Sequence, residues 1–249
     1  MHPVLRTVLV AVLPFALLTP ATVAEAKGPP RPVVLQPASK PYGKTYGEWS
    51  AKWWQYVFAQ PYDTNPLTDP TGVRCGVAQS GPVFFLGGLY GLPGTYKVNR
   101  TRCNVPAKRA LFFPILNCEN DNTVEVTPPP GPQQPQNQNT AEKLAAECRD
   151  HFDGARDLAA EVDGVSILRL SLPSPYRAAS PPFAITPPEG NLLQHFNYYA
   201  PGNQEISPVV SDGVYLMLAP LSPGQHTLHF RGTNADFKLD VTYRLCVAR

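Results

Sequence analysis

Beyond residue 26 the chain carries four histidines, His151, His195, His226 and His229, the side chains that bind zinc or copper when two or three of them converge. His226 and His229 stand three apart in a stretch of alternating apolar residues. On a regular strand that spacing sends them to opposite faces, His226 with Leu228 and Phe230, His229 with Thr227 and Arg231. They cannot chelate one ion together. A metal centre would need His195 to meet His226 in space, with Glu119 as a further ligand. The short ligand spacings of a dedicated zinc site are missing, and no cofactor is expected. The segment 117–122, Asn-Cys-Glu-Asn-Asp-Asn, offers oxygens for calcium but lacks the ligand order of an EF-hand loop. It reads as a polar turn after a strand.

Aromatic side chains supply the other candidate chemistry. All three tryptophans lie between residues 46 and 54. Tyr46, Trp49, Trp53, Tyr56 and Val57 fall on one face of a helix, which is the pattern of a packed stripe. Trp54 lies off the centre of that stripe and is expected to be partly exposed, where an indole can stack on a sugar ring or another flat ligand. The polar and aromatic stretch 195–202 presents Asn197 and Tyr198, which on a loop would contact a glycan and on an edge strand would bury one tyrosine. No GxSxG elbow, Walker loop or GxGxxG turn occurs. Carboxylate pairs for glycoside hydrolysis are defined by their separation in space and are not legible here.

Composition and the N-terminus place these residues. Net charge is +2, with 16% charged and 43% hydrophobic side chains, so there is neither the basic excess of a nucleic-acid binder nor the polarity of a disordered chain. Residues 1–26 read as a signal peptide: Arg6, an apolar stretch from Val8 to Leu18, then Ala24-Glu25-Ala26 before a mature start at Lys27. The expected product is exported, secreted or periplasmic, with no membrane insertion after cleavage. Export makes disulfides the default use of Cys75, Cys103, Cys118, Cys148 and Cys246. Nearest-neighbour pairing joins Cys75 to Cys103 and Cys118 to Cys148. Spacing alone does not choose among the three pairings of these four. Each such loop is worth about 3.5 kcal/mol in the chain-entropy model. Cys246 is then left as a free thiol or as the link in a dimer.

The elements follow from pattern. Residues 27–44 form a Pro-rich, extended lead-in. Thr45-Tyr46-Gly47-Glu48 is a capping box that starts a helix running to about Ala59, before Pro61. Short apolar runs at 83–86, 111–116 and 165–170 predict strands, and residues 140–152 a second short helix. The Pro/Gln-rich stretch 127–139 reads as an excursion from one domain spanning 45–249. Near the C-terminus, Phe237, Leu239, Val241, Tyr243, Leu245 and Val247 alternate with polar residues over a long strand. A loop at 232–236 joins it to the strand of Leu228 and Phe230. A strand through Val214, Leu216 and Leu218 precedes that pair. Three consecutive strands with short turns predict antiparallel pairing, hence a mainly β fold: an immunoglobulin-like or jelly-roll-like antiparallel β-sandwich with an N-terminal aromatic helix.

The run from Tyr46 to Trp54, the segment Gln79-Ser80-Gly81-Pro82-Val83-Phe84-Phe85-Leu86, residues 103–107 followed by 111–115, and the ending from Leu221-Ser222-Pro223-Gly224-Gln225-His226-Thr227 through Thr242-Tyr243 together resemble a set of exported bacterial proteins for which no activity is established. The resemblance covers most of the chain and implies no site residues. The sequence therefore predicts a non-catalytic module that binds an extracellular ligand, such as a polysaccharide or a cell-surface partner, through Trp54, Asn197 and Tyr198. The alternative is an exported metal-dependent or carboxylate-based hydrolase.

Overall fold

The computed structural model describes residues 31–91, 93–126 and 137–249. The signal-peptide reading of residues 1–26 lies outside these, as do residues 127–136 of the Pro/Gln stretch. Helix α1 (Tyr46–Phe58) begins at the expected box: Thr45 Oγ1 accepts the Glu48 amide at 3.1 Å, and the Glu48 carboxylate accepts the Thr45 amide at 2.7 Å. Strands β1 (Val83–Phe85), β2 (Gly94–Val105) and β3 (Ala110–Asn120) follow, then helix α2 (Ala141–Phe152), capped by Thr140. Next come β4 (Arg156–Val162), β5 (Val165–Ser166), β6 (Arg177–Ala179), β7 (Phe183–Ile185) and a single turn of helix, α3 (Leu192–His195). The long strands β8 (Ile206–Leu218), β9 (Gly224–Asn234) and β10 (Phe237–Val247) complete the chain.

Two five-stranded sheets face each other. One has the order β1-β3-β8-β6, with β7 also on β8; the other runs β2-β10-β9-β4-β5. Phe113 of β3 meets Phe230 of β9 across the interface, ring centroids 5.3 Å apart. On the opposite face of the first sheet, Phe112 and Tyr215 stack and α1 lies over them: Tyr46 packs edge-on to Phe112, and its hydroxyl accepts the Met217 amide at 2.9 Å. Gly47 permits this approach, because a Cβ there would sit 2.2 Å from the Ala179 carbonyl oxygen.

The architecture is the expected mainly β sandwich, corrected in five places. β8 does not pair with β9; the turn at 220–224 carries the chain from one sheet to the other. The physical reason lies in β8, where Val214, Tyr215, Leu216, Met217 and Leu218 are all fully buried. A strand covered on both faces reads as a continuous apolar run, not as an alternation. The sheets are mixed, since β1 runs parallel to β3 and β2 parallel to β10. Distant segments brought together by long crossovers have no hairpin to impose antiparallel pairing. The apolar run 165–170 supplies only the two-residue β5, and the β9–β10 turn is tighter than 232–236, with Ala235 and Asp236 between the strands. The lead-in is partly pinned: Leu35 donates its amide to the Met217 carbonyl at 2.8 Å.

Both nearest-neighbour disulfides form, Cys75–Cys103 with Cα atoms 5.7 Å apart and Cys118–Cys148 with 5.8 Å. The second ties β3 to α2. Beyond it, the Asn137 amide, in the described end of the Pro/Gln stretch, donates to the Asn122 carbonyl at 3.0 Å, five residues before that stretch begins.

Arg100 of β2 holds the interior together. It is 1% exposed, and all five guanidinium N–H donors are used. Nε donates to Asp69 O at 2.7 Å; Nη1 donates to Gly87 O at 2.6 Å and to the Tyr243 hydroxyl at 2.7 Å; Nη2 donates to Pro66 O at 3.1 Å and Gly88 O at 2.8 Å. Two loops are thereby fastened to both β2 and β10. Replacing Arg100 with Met strips donors from four buried carbonyls, and a cost of about 3–5 kcal/mol is expected. Urea unfolding of Arg100→Met measures it; a loss under about 1 kcal/mol would show that water or relaxation replaces the guanidinium.

Candidate functional site

Strand β1 covers only the first part of β3, pairing with Ala110, Leu111 and Phe112, whereas β3 continues to Asn120. Past Phe112, β3 has a described strand partner on the β8 side alone. Along that uncovered edge opens a cleft of about 370 Å³. Residues 114–119 of β3 form one wall, Trp53 and Trp54 of α1 a second, and the segment of Gly88, Leu89, Tyr90 and Gly91 a third. Asn234, Phe237 and Leu239 of the β9–β10 hairpin, with His151 and Tyr198, complete it. The Arg100 guanidinium sets the start of the third wall through Gly87 and Gly88.

Trp54 is not the exposed platform expected from its helical position. It is 4% exposed, stacked on Phe58 at 5.1 Å and edge-on to Trp53 at 4.8 Å. The reason is that α1 is covered on more than one side, by the first sheet and by the segment carrying Tyr90, whose ring lies 6.4 Å from Trp54. Its indole is nevertheless distinct from the other two. Trp49 donates to Pro41 O at 2.9 Å and Trp53 to Leu86 O at 2.7 Å, but Trp54 Nε1 has no acceptor among the described residues. A buried donor without an acceptor is uncommon, and this residue lines the cleft.

Across from it stands Glu119, whose Oε1 is inaccessible and unpartnered. Asp121 is similar: Oδ1 accepts the Thr123 amide and hydroxyl, both at 2.6 Å, but Oδ2 has no partner. Burial, and then the neighbouring Asp121, hold the Glu119 carboxyl well above its ordinary range. Burial raises Asp121 too, and the two Thr123 hydrogen bonds offset this only in part. Tyr90 is pushed up by burial, then by Glu119, Tyr198 and Asp121; Tyr198 by burial, then by Glu125, Asp121 and Glu119. These groups therefore form one acidic, electrostatically connected cluster. Tyr198 is held over it by a short ladder: the Val126 amide donates to Asn197 O at 2.6 Å and the Tyr199 amide to Val124 O at 2.8 Å.

The remaining expected residues are scattered. Asn197 is exposed, with a left-handed backbone at φ 65°, and offers its carbonyl to that ladder. His195 ends α3, exposed, and stacks on Tyr62 at 3.4 Å. His226 is occupied elsewhere: Nδ1 lies 2.7 Å from Asp163 Oδ2 and Nε2 2.9 Å from Ser222 O. His229 lies between Glu161 and Asp240. No group of three His, Cys, Asp or Glu able to hold a metal occurs among the described residues, and His195, His226 and Glu119 form no such group. Cys246 is free and exposed on the outer face of β10. Sequence reasoning missed Tyr90, Asp121 as a partner of Glu119, and Arg100. A Gly-Gly-Leu-Tyr-Gly segment and a 117–122 turn rich in Asn and Asp carry no periodicity that marks them as walls of one cleft.

No protein-family model, curated protein or solved structure matches the chain. What the fold and cleft define is a disulfide-bonded β-sandwich with a small aromatic and carboxyl-lined cavity. Among the described residues, no helix is long and apolar enough to cross a membrane, and the two disulfides fit an oxidising compartment.

Two outcomes follow from this geometry. Trp54→Ala empties a packed aromatic site and should cost about 3–5 kcal/mol, measured as a drop in the urea midpoint. A melting temperature equal to wild type would return Trp54 to the surface. Glu119→Gln should stabilise. The folded-state pKa of Glu119 is raised, so the wild type has its full contribution below about pH 4.5, the ordinary value, and loses it as pH climbs through the folded value. Stability curves of the two proteins should converge in acid and diverge towards neutral and alkaline pH, Glu119→Gln on top. Curves that stay parallel would mean that Glu119 titrates normally.

Proposed function

We propose that this protein is an exported binding protein that takes a small, hydroxyl-rich ligand, a single sugar ring or the terminal ring of a glycan, into the cleft beside β3. The observation that carries the reading is the pair of unpartnered polar atoms on its walls, the Trp54 indole N–H as donor and the Glu119 carboxyl oxygen Oε1, with the Asp121 carboxyl next to Glu119. A ligand that satisfies both kinds must itself donate and accept. Hydroxyl groups do this, and the half-buried rings of Tyr90 and Tyr198 suit the apolar faces of a pyranose. The volume, about 370 Å³, is near the lower end of the roughly 300–1,000 Å³ of small-ligand sites, which favours one ring over an extended chain. Export is supported by the N-terminal signal pattern and by the two disulfides.

A hydrolytic reading has one observation in its favour. Glycoside hydrolysis needs a carboxylic acid that keeps its proton near neutral pH, and Glu119 has the raised pKa for it. Release of reducing ends from oligosaccharides at pH 5–7, abolished by Glu119→Gln, would establish it over simple binding.

The binding test is calorimetry of the disulfide-intact protein against a panel of monosaccharides and short oligosaccharides. At least one sugar should bind with 1:1 stoichiometry. Tyr198→Ala, at a half-buried position, should weaken it about tenfold or more, equivalent to about 1.4 kcal/mol, while shifting the melting temperature little. Trp54→Phe, which keeps the ring and removes the donor, should weaken it as well. A panel without a binder, or variants with wild-type affinity, would sink the assignment.

A further inference from the structure

The cleft carries an imbalance that a neutral sugar does not cure. Two neighbouring carboxyls, Glu119 and Asp121, each keep one oxygen without a partner, and both oxygens are inaccessible to solvent. Nothing on the walls supplies a counter-charge: no Lys or Arg lines the cleft among the described residues, and its one ionisable base is His151, exposed at the end of α2. The other titratable groups around the pair are Tyr90 on the third wall, Tyr198 beyond α3, Glu125 paired with Tyr198, and Glu147 of α2, which accepts from Asn120 Nδ2 at 3.1 Å and is itself bridged to the exposed Lys143 at 3.6 Å; among the described residues no cation pairs with Glu119 or Asp121. A metal ion is poorly served, since no third His, Cys, Asp or Glu completes a ligand set with them among the described residues. A buried carboxylate pair is favourable only with a hydrogen-bonded cation beside it.

A second observation is independent of the acids. The 96%-buried Trp54 has a free N–H that needs an acceptor from the ligand. The occupant therefore combines a cation, an acceptor and an apolar face. Aromatic rings add to this, because the faces of Trp and Tyr attract cations.

We infer that the ligand of the cleft is an amino sugar with a free, protonated amine, its ammonium seated against Glu119, with the Asp121 carboxyl adding its charge from beside Glu119, and a hydroxyl or ring oxygen accepting from Trp54. This deepens the sugar-binding reading and rests on it. In the empty cleft, burial favours the neutral form of both carboxyls; an ammonium beside them favours the ionised form, so binding is coupled to proton release.

The test is calorimetry of the disulfide-intact protein with glucosamine, N-acetylglucosamine and glucose, in buffers of different ionisation enthalpy. The expected result has three parts. Glucosamine binds at least tenfold more tightly than glucose or N-acetylglucosamine at pH 7. Its binding releases protons, seen as a heat that changes with the buffer. Its affinity rises from pH 5 to 7, as the carboxyls give up protons more readily, until the ligand amine itself begins to deprotonate. Glu119→Gln keeps the shape and removes the charge. It should erase the preference for glucosamine and most of the proton release, with a circular dichroism spectrum unchanged from wild type. Equal affinity for glucosamine and glucose, or a preference that survives Glu119→Gln, overturns the amine while leaving sugar binding standing. No affinity for any sugar overturns both.

Discussion

A guanidinium sealed inside a β-sandwich is tolerable only if every donor finds an acceptor, and Arg100 meets that condition with four backbone carbonyls and one tyrosine hydroxyl. Carbonyls in irregular segments are themselves in need of donors when buried. One side chain thus settles two shortages at once: the loops through Pro66, Asp69, Gly87 and Gly88 can enter the interior because Arg100 is there, and Arg100 can be buried because they arrive. The Tyr243 ring beneath, 5.1 Å from the guanidinium carbon, adds a cation–π contact. The second sheet therefore positions segments that belong to the helix-covered side of the molecule, and with them a wall of the cleft.

The same economy explains why the cleft lies where it does. β1 is three residues long and runs out at Phe85; the chain then turns through Gly87 and Gly88 under the hold of Arg100 and Tyr243. β3 continues alone on that side, so the space a further strand would fill is closed by side chains from α1, the hairpin and the Tyr198 ladder. Cys118 sits in the wall and is bonded to Cys148, which anchors α2 beside Glu119. A sheet edge left open in the interior, lined by aromatic side chains and the Glu119 carboxyl, is a natural place for a ligand of small size.

Electrostatics separates this region from the polar surface elsewhere. His226 with Asp163 and Arg177 with Asp212 are paired and hydrogen-bonded, so their charges are already answered within the chain. Burial tends to lower the His226 pKa, but the Asp163 hydrogen bond and the Ser222 carbonyl outweigh it and hold the ring above its ordinary value. The first of the two pairs lies at the surface, where such contacts are ordinary; the second holds the buried Asp212 with a guanidinium that reaches it from the surface side. The Glu119 and Asp121 oxygens have no such answer, and that contrast marks the cleft more clearly than its size does.

The sequence by itself determined the local features. Helix α1 and its cap, α2, the long alternating β10 and the mainly β class all follow from spacing over fewer than about thirty residues, where periodicity and capping chemistry act, whereas the choice among the three cysteine pairings was made by the fold. Tertiary structure decided everything that depends on what covers a face. It put β8 between a helix and a sheet, so its continuous apolar run replaced the expected alternation. It drew distant strands into parallel pairs, buried Trp54, and left His195 and His226 with separate partners. Above all it brought Glu119, Tyr90, Trp54 and Tyr198 to one cleft, with Asp121 beside Glu119, from segments that share no pattern. Burial and charge at that cleft arise from pairs far apart along the chain, and a one-dimensional pattern records the neighbours of a residue along the backbone, not those across the core.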